Sequence, residues 1–257
     1  MNCSRRSRNS RWSTSVIVLT IPVMAVCSQA PPEPTGTSEP LSALGLYAGY
    51  SETIYDGWAR SSQYVTVRDG TPLAVDVLRP TSNDEIVDKP LPAIWTHTRY
   101  VRSNIGDDGS VETILDRWDS WLAEFIAHGY VAVVVDVRGG GASFGARRGW
   151  FSPEEADDAS DITEWIAAQP WSDGNVGMFE RSYLGITQYF AASEAPPPLR
   201  AIFPEMAAFD LYDFMYPGGI YREDFLFSWN LGVEALDSAF GNTRTAPVDE
   251  DVDGSLL

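Results

Sequence analysis

The sequence predicts an α/β fold, a mainly parallel sheet flanked by helices, and three observations carry that expectation. Val131-Ala132-Val133-Val134-Val135 is an unbroken, mostly β-branched run, the mark of a strand covered on both faces. Strand-like runs alternate along the chain with helix-length amphipathic ones, which calls for right-handed crossovers between parallel neighbours. A strand-like run ending at Phe179 gives way to a helix-like run from Tyr183, with Ser182 at the turn.

The chain starts with a leader over residues 1–30. Arg5, Arg6, Arg8 and Arg11 precede an apolar run at 16–26, and small residues follow at Ser28-Gln29-Ala30, the pattern of a secretory signal. The run is about half of the ~20 residues that a membrane-spanning helix needs. Export is therefore expected, with the protein periplasmic, extracellular or lipid-anchored at the cell surface; an uncleaved anchor is the alternative. Met24-Ala25-Val26-Cys27 partly resembles a bacterial lipobox, with Val26 atypical, and would put a lipid on Cys27. Arg5-Arg6 loosely resembles a twin-arginine signal. Cys3 and Cys27 both fall in the leader, so the remainder carries neither a disulfide framework nor thiol chemistry.

The 257 residues suit one large domain or an incomplete pair, and the formal charge of −18 becomes −22 without the four leader arginines. Such a surface repels nucleic acid and anionic lipid, so no nucleic-acid partner is expected, and membrane contact comes only through the leader or a lipid on Cys27. Residues 31–59 form a tether and lead-in, rich in Pro, Ser, Thr and Glu as far as Pro40.

Tyr64-Val65-Thr66-Val67 and Leu73-Ala74-Val75-Asp76-Val77-Leu78 alternate around Asp69-Gly70 and read as a hairpin. Leu91–Thr98 is a third strand. Residues 112–128 carry Leu115, Trp118, Trp121, Leu122, Phe125 and Ile126 on one helical face, which stops at Gly129. After the Val131 strand, Ser152 as N-cap, Pro153 at the first position and Glu155 three residues on predict a helix opened by a capping box, with Ile162, Trp165 and Ile166 as its buried stripe. Residues 175–179 form the strand before Ser182, 183–192 the helix after it, and 199–203 one more strand. From Asp210 the pattern turns aromatic and irregular, and 241–257 reads as a loose acidic tail.

A strand that turns sharply into a helix exposes one side chain at the top of the sheet and aims the first helical N–H groups at the same place, which is how a serine nucleophile is presented. Ser182 is that candidate, and Gly185 lets the helix pack close to the neighbouring strand. Asp136 and Arg138 read as a loop-fixing pair, Trp165 and Trp171 as core or pocket-wall residues. Gly139-Gly140-Gly141 lacks the spacing of a phosphate loop, and no metal cluster or cofactor motif is visible.

Asp136-Val137-Arg138-Gly139-Gly140-Gly141-Ala142-Ser143, the run from Gln169-Pro170-Trp171-Ser172-Asp173-Gly174 to Gly177-Met178, and Ser182-Tyr183-Leu184-Gly185 with Gln188 resemble the CocE/NonD and X-prolyl dipeptidyl-peptidase group. Arg68-Asp69-Gly70, Leu73-Ala74-Val75-Asp76-Val77 and Arg79-Pro80 resemble its opening hairpin, and the likeness runs over roughly residues 60–235. The resemblance implies an α/β-hydrolase fold: a core over 60–208, the start of a helical cap over 209–240 with Asp210, Asp213, Glu223 and Asp224 at its entrance, and no cofactor. It implies Ser182 as nucleophile, the backbone N–H of Tyr183 as one oxyanion donor and the Tyr100 hydroxyl as the other. The substrate would be a small ester, amide or peptide, cleaved as in an acyl esterase or dipeptidyl-peptidase. It further places the triad acid, its histidine, the last strands and a jelly-roll domain after Leu257, so that the chain reads as a fragment.

Three departures from the pattern bear on activity. Arg99 stands in Thr98-Arg99-Tyr100 where the group commonly has proline, which loosens the loop that directs the tyrosine. Glu180 replaces the usual glycine two residues before Ser182, and either strains the turn and sets a negative charge beside it or turns away to an arginine such as Arg181. No histidine follows Ser182. His128 precedes the Val131 strand, about 20 Å of strand from the serine, and His97 ends the third strand beside Tyr100 rather than at a base position. A hydrolase without turnover, at most a binding module, is the competing expectation.

Overall fold

The computed structural model describes residues 51–117, 121–237, 244–251 and 255, together with the backbone of 42–43 and 46–47. The expected leader with Cys27 and most of the expected tether lie outside the described residues. Two units separate at Gly49. In the first, Ser42–Ala43 pairs antiparallel with Leu46–Tyr47. The second carries everything that follows.

Its sheet is built from β1 (Gly57–Thr66), β2 (Pro72–Ser82), β3 (Leu91–Thr98), β4 (Val131–Asp136), β5 (Ser172–Arg181) and β6 (Leu199–Glu205) in the order β6-β5-β3-β4-β2-β1. Glu85–Ile86 adds a short strand on β2. The four strands β6, β5, β3 and β4 are parallel, and the β1–β2 hairpin adds an antiparallel edge. The expected mainly parallel α/β sheet is therefore observed.

Helices cover both faces because the central strands are apolar on both. Val131, Val133 and Val135 share one core with Trp95 and with Ala159, Ile162 and Ile166 of α3 (Pro153–Ala167). Ala132 and Val134 share the other with Leu78 and with Leu122 and Ile126 of α2 (Leu122–Ala127). Gly129, at φ 102°, ends α2 as expected.

Three local expectations are corrected. The single helix over 112–128 is divided: Val111–Thr113 pairs antiparallel with Ser103–Ile105, and α1 spans only Ile114–Arg117. Thr113 explains the late start, since its N–H and hydroxyl both bond the Asp116 carboxylate at 2.8 Å and its hydroxyl oxygen accepts from Leu115 N–H at 3.2 Å. Trp118 lies outside the described residues. At the start of α3 the Ser152 side chain makes no cap hydrogen bond, and Glu155 is turned instead to the hydroxyl of Tyr183, 2.6 Å away.

The tail is the third correction. Across 244–251 it is held rather than loose: Ala246 and Val248 are buried, Ala246 C=O accepts from Arg102 at 2.7 Å, and the Asp249 carboxylate accepts from Ser62 N–H at 2.7 Å. Glu250 accepts from Tyr64 N–H at 2.9 Å. Composition alone hides this, because the acidic residues that suggested solvation serve as acceptors for the outer edge of β1.

The aromatic stretch after Asp210 forms α5 (Leu211–Met215), capped by the Asp210 carboxylate on Tyr212 and Asp213 N–H, and then the 15-residue α6 (Glu223–Asp237). Among the described strands β6 lies at one edge of the sheet, with the Phe203 side chain exposed. Among the described residues no helix is long and apolar enough to cross a membrane.

Candidate active site

The sheet connectivity fixes where chemistry is possible. From β4 the chain crosses over β3 to β5, so the connections diverge around β3, and ligands of open α/β sheets bind at such a switch point beyond the strand C-termini. Neighbours β3 and β5 run parallel with Trp95 opposite Met178. Their ends therefore deliver Tyr100 and Ser182 to one edge of the sheet.

Ser182 links β5 to α4 (Tyr183–Ser193) with φ 59° and ψ −126°, a left-handed backbone that a side chain adopts only under constraint. The constraints are visible. Ser182 N–H bonds Glu205 C=O at 3.0 Å, and Ser182 C=O accepts from Gly185 and Ile186 at 3.0 and 2.9 Å. A Cβ on Gly185 would stand 2.8 Å from Glu205 O and 2.9 Å from Ala207 Cβ, so only glycine admits this approach. Gln188, wholly buried, donates to Glu180 C=O at 2.9 Å and accepts from Phe203 N–H at 2.9 Å, tying the turn to β6.

The Ser182 side chain caps nothing and is exposed to a cavity of about 60 Å³. Among the described residues neither a histidine nor a carboxylate hydrogen-bonds it. Tyr183 N–H is the first of α4 and has no acceptor within the helix. Val101, Phe151, Glu180, Ser182 and Met206 all have positive φ at this edge, a concentration of strained backbone typical of working sites.

Glu180 shows the strain expected of it, and its carboxylate meets the backbone of Arg181. It is strained, at φ 145°, and it is 3 % exposed, with its carboxylate accepting from Arg181 N–H at 3.1 Å. Tyr100 stands edge-on to Tyr183 at 6.2 Å between ring centres, and its oxygen accepts the indole N–H of Trp229 at 3.2 Å. The Tyr183 ring packs on Phe151 at 4.3 Å, and its hydroxyl donates to buried Glu155. Burial lifts the Glu155 carboxyl above its ordinary range, and burial with the Glu155 charge lifts the Tyr183 phenol.

The remaining candidates are placed elsewhere. His97 is buried with both ring nitrogens unpartnered, and burial, with a lesser push from Arg138, holds its pKa down to about 3. His128 lies at the opposite end of β4, where Nδ1 is 3.0 Å from Ser51 Oγ. Arg138 forks onto Asp158 at 2.7 and 2.5 Å and reaches Asp69 at 2.9 Å, joining the hairpin turn to α3. Asp136 accepts from Arg102 and Ala142 N–H at 2.7 and 3.0 Å, and a Cβ on Gly141 would collide with its carboxylate. Trp165 and Trp171 pack edge to face at the core. Asp210 is engaged as the α5 cap.

Sequence reasoning missed Trp229 and Trp150, which line the cavity with Ser182. A signal existed for Trp229: with buried Leu226 and Val233 it forms an i, i+3, i+7 stripe along α6.

Comparison with known proteins follows this geometry. The family model described as X-Pro dipeptidyl-peptidase (S15 family) matches residues 69–251. A Mycobacterium bovis protein named as a serine esterase is 36% identical over 223 residues, covering 79% of this chain and 35% of its own. Cocaine esterase of a Rhodococcus species is 39% identical over 174 residues, covering 66% of this chain and 28% of its own. The crystal structure of a CocE/NonD family hydrolase from Staphylococcus aureus matches with a TM-score of 0.60 and 28% identity, over 72% of this chain and 34% of that one. The chain thus spans about a third of the length of these proteins. By its sequence match and its sheet, the chain belongs to the CocE/NonD and X-Pro dipeptidyl-peptidase (S15) family of serine esterases and peptidases, built on the α/β-hydrolase fold.

Proposed function

We propose that the protein is an exported serine hydrolase that cleaves a small ester or amide through an acyl-enzyme on Ser182. The observation that carries this reading is the Ser182 backbone, held at φ 59° with its side chain open to the cavity. Ser182 Oγ would attack the substrate carbonyl carbon and give up its proton to a base, which passes it to the departing alcohol or amine; water then releases the acid. The Tyr183 N–H and the Tyr100 O–H would receive the carbonyl oxygen as it becomes an oxyanion. The base and its orienting carboxylate are proposed to come from polypeptide beyond these 257 residues, as the one-third coverage of the relatives allows. Export rests on the leader pattern alone.

Fluorophosphonate labelling tests the reading. A protein extended by the downstream segment is expected to be labelled, and Ser182→Ala to be silent; labelling that survives the substitution refutes it. A second reading is supported by His97 and His128, one sealed in the core and the other at the far end of β4. On that reading the 257-residue chain has no turnover of its own and at most binds a ligand. Turnover of an aryl ester by this chain, lost in Ser182→Ala, would exclude it.

A further inference from the structure

A carboxylate stands behind the turn that presents Ser182. Glu155, in the first turn of α3, is 2 % exposed, and its Oε2 accepts the hydroxyl of Tyr183 at 2.6 Å. Tyr183 follows Ser182 directly and opens α4, which packs beside α3. Glu155 does not line the cavity, whereas Tyr183 does, so whatever Glu155 contributes there passes through the tyrosine.

The peptide unit between Ser182 and Tyr183 needs such a hold. A residue at φ 59° keeps its backbone only while the surroundings fix it from both sides. On the Ser182 side the hold is backbone: Glu205 C=O accepts its N–H, and Gly185 and Ile186 N–H bond its C=O. On the other side, Tyr183 N–H has no acceptor within the helix, so its direction depends on where the rest of Tyr183 is held. The Phe151 ring stacked on it at 4.3 Å still lets the tyrosine slide in its own plane. A directional hydrogen bond at the far end of the ring does not. The ring leaves the backbone through only two torsions, so pinning the hydroxyl fixes the start of α4. Burial lifts the Glu155 carboxyl, and the Tyr183 hydroxyl, the Ser152 backbone, Arg147 and Arg99 draw it partly back. The tether is indifferent to the balance, because carboxylate and carboxyl each offer an oxygen to the Tyr183 O–H.

We propose that Glu155 is a positioning residue: through the Tyr183 hydroxyl it fixes the first turn of α4 and aims the Tyr183 N–H into the Ser182 cavity. The proposal deepens the hydrolase reading and rests on it only for what that N–H meets there. A pair that merely stabilised the fold would leave the N–H where it is when broken. The two roles separate when both partners are made apolar. Stability then returns, because no unpaired group is left in the core, but the tether does not.

Amide NMR spectra of the 257-residue chain with isotope-labelled tyrosine read the Tyr183 N–H directly, its signal assigned by its loss in Tyr183→Phe. Glu155→Leu is expected to shift or split that signal, and Glu155→Gln, whose amide oxygen still accepts, to leave it in place. In the protein extended by the downstream segment, Glu155→Leu should slow fluorophosphonate labelling of Ser182 by at least about tenfold, with Glu155→Gln recovering most of the rate. Glu155→Leu combined with Tyr183→Phe should regain the urea midpoint and stay slow, which keeps the test open where Glu155→Leu alone unfolds. A Tyr183 signal unmoved in Glu155→Leu, or labelling that recovers with the urea midpoint in the combined variant, would overturn the proposal. A shifted Tyr183 signal in a protein whose unaltered Ser182 resists fluorophosphonate would uphold it and overturn the acyl-enzyme reading instead.

Discussion

The indole N–H of Trp229 donates to the phenol oxygen of Tyr100 across 3.2 Å, joining α6 to the loop after β3. An indole only donates, so the bond occupies a lone pair of the phenol oxygen and turns the phenol proton away from Trp229. Trp229 also packs edge to face on Trp150 at 4.5 Å. The seat of α6 and the aim of the Tyr100 hydroxyl are thereby tied to one another.

Trp229→Phe keeps the ring and removes the donor. It is expected to slow phosphonylation of Ser182 by about tenfold, the effect of one hydrogen bond, while leaving cavity ligands bound. Tyr100→Phe, which removes the proposed oxyanion donor itself, should cost about a hundredfold or more. Labelling rates measured beside ligand affinities separate the two effects.

Glu180→Gly should relieve the φ of 145° at the turn, raising stability by about 1 kcal/mol and speeding labelling of Ser182. Gly185→Ala should act in the opposite direction, lowering stability by about 1–3 kcal/mol as its methyl meets Glu205 O. Urea unfolding curves of both variants check the signs.

Two buried groups set opposing responses to acid. The His97 imidazole stays neutral in the folded chain down to about pH 3, whereas the unfolded chain protonates it near its ordinary value. Stability from this group is therefore lost as pH falls below about 6.5, by about 1.4 kcal/mol per unit. Burial raises the Asp136 carboxyl to about 6, above its unfolded value, so its contribution is complete below about pH 4 and is lost as pH rises through 6. Between pH 4 and 6 the two largely cancel. His97→Gln should gain stability on acidification across that window and Asp136→Asn should lose it, as urea midpoints at pH 4.5 and 6.5 will show.

Asp249→Ala removes the acceptor of Ser62 N–H at 2.7 Å, of Ser62 Oγ at 3.0 Å and of Arg60 at 3.3 Å. A loss of about 1–2 kcal/mol is expected, with faster exchange of the Ser62 amide. Unchanged exchange at Ser62 would show that the tail does not hold β1.

Much of this was legible in the sequence because hydrophobic pattern and turn chemistry are local. Leu91–Thr98 emerged with its expected bounds, and the Val131 run was buried on both faces as its composition required. Ser182 was found from the strand–turn–helix succession, and Gly185 from the need for close packing. The misses share a different origin. Glu155 follows Ser152 at capping-box spacing, yet a buried phenol 28 residues away takes its carboxylate. Asp249 and Glu250 look solvated until β1 presents them with N–H groups. The Arg99 contacts to Tyr183 and Trp229 join three elements that no local window contains. Side chains that answer to tertiary partners were invisible, and those that answer to their own segment were not.

Along β1, carboxylates of the tail accept from the outward N–H groups of Ser62 and Tyr64. An edge strand ordinarily offers such donors to any extended segment that comes alongside. Here they are occupied from within the chain, so the tail serves this edge as a guard against pairing with a strand of another molecule at these positions.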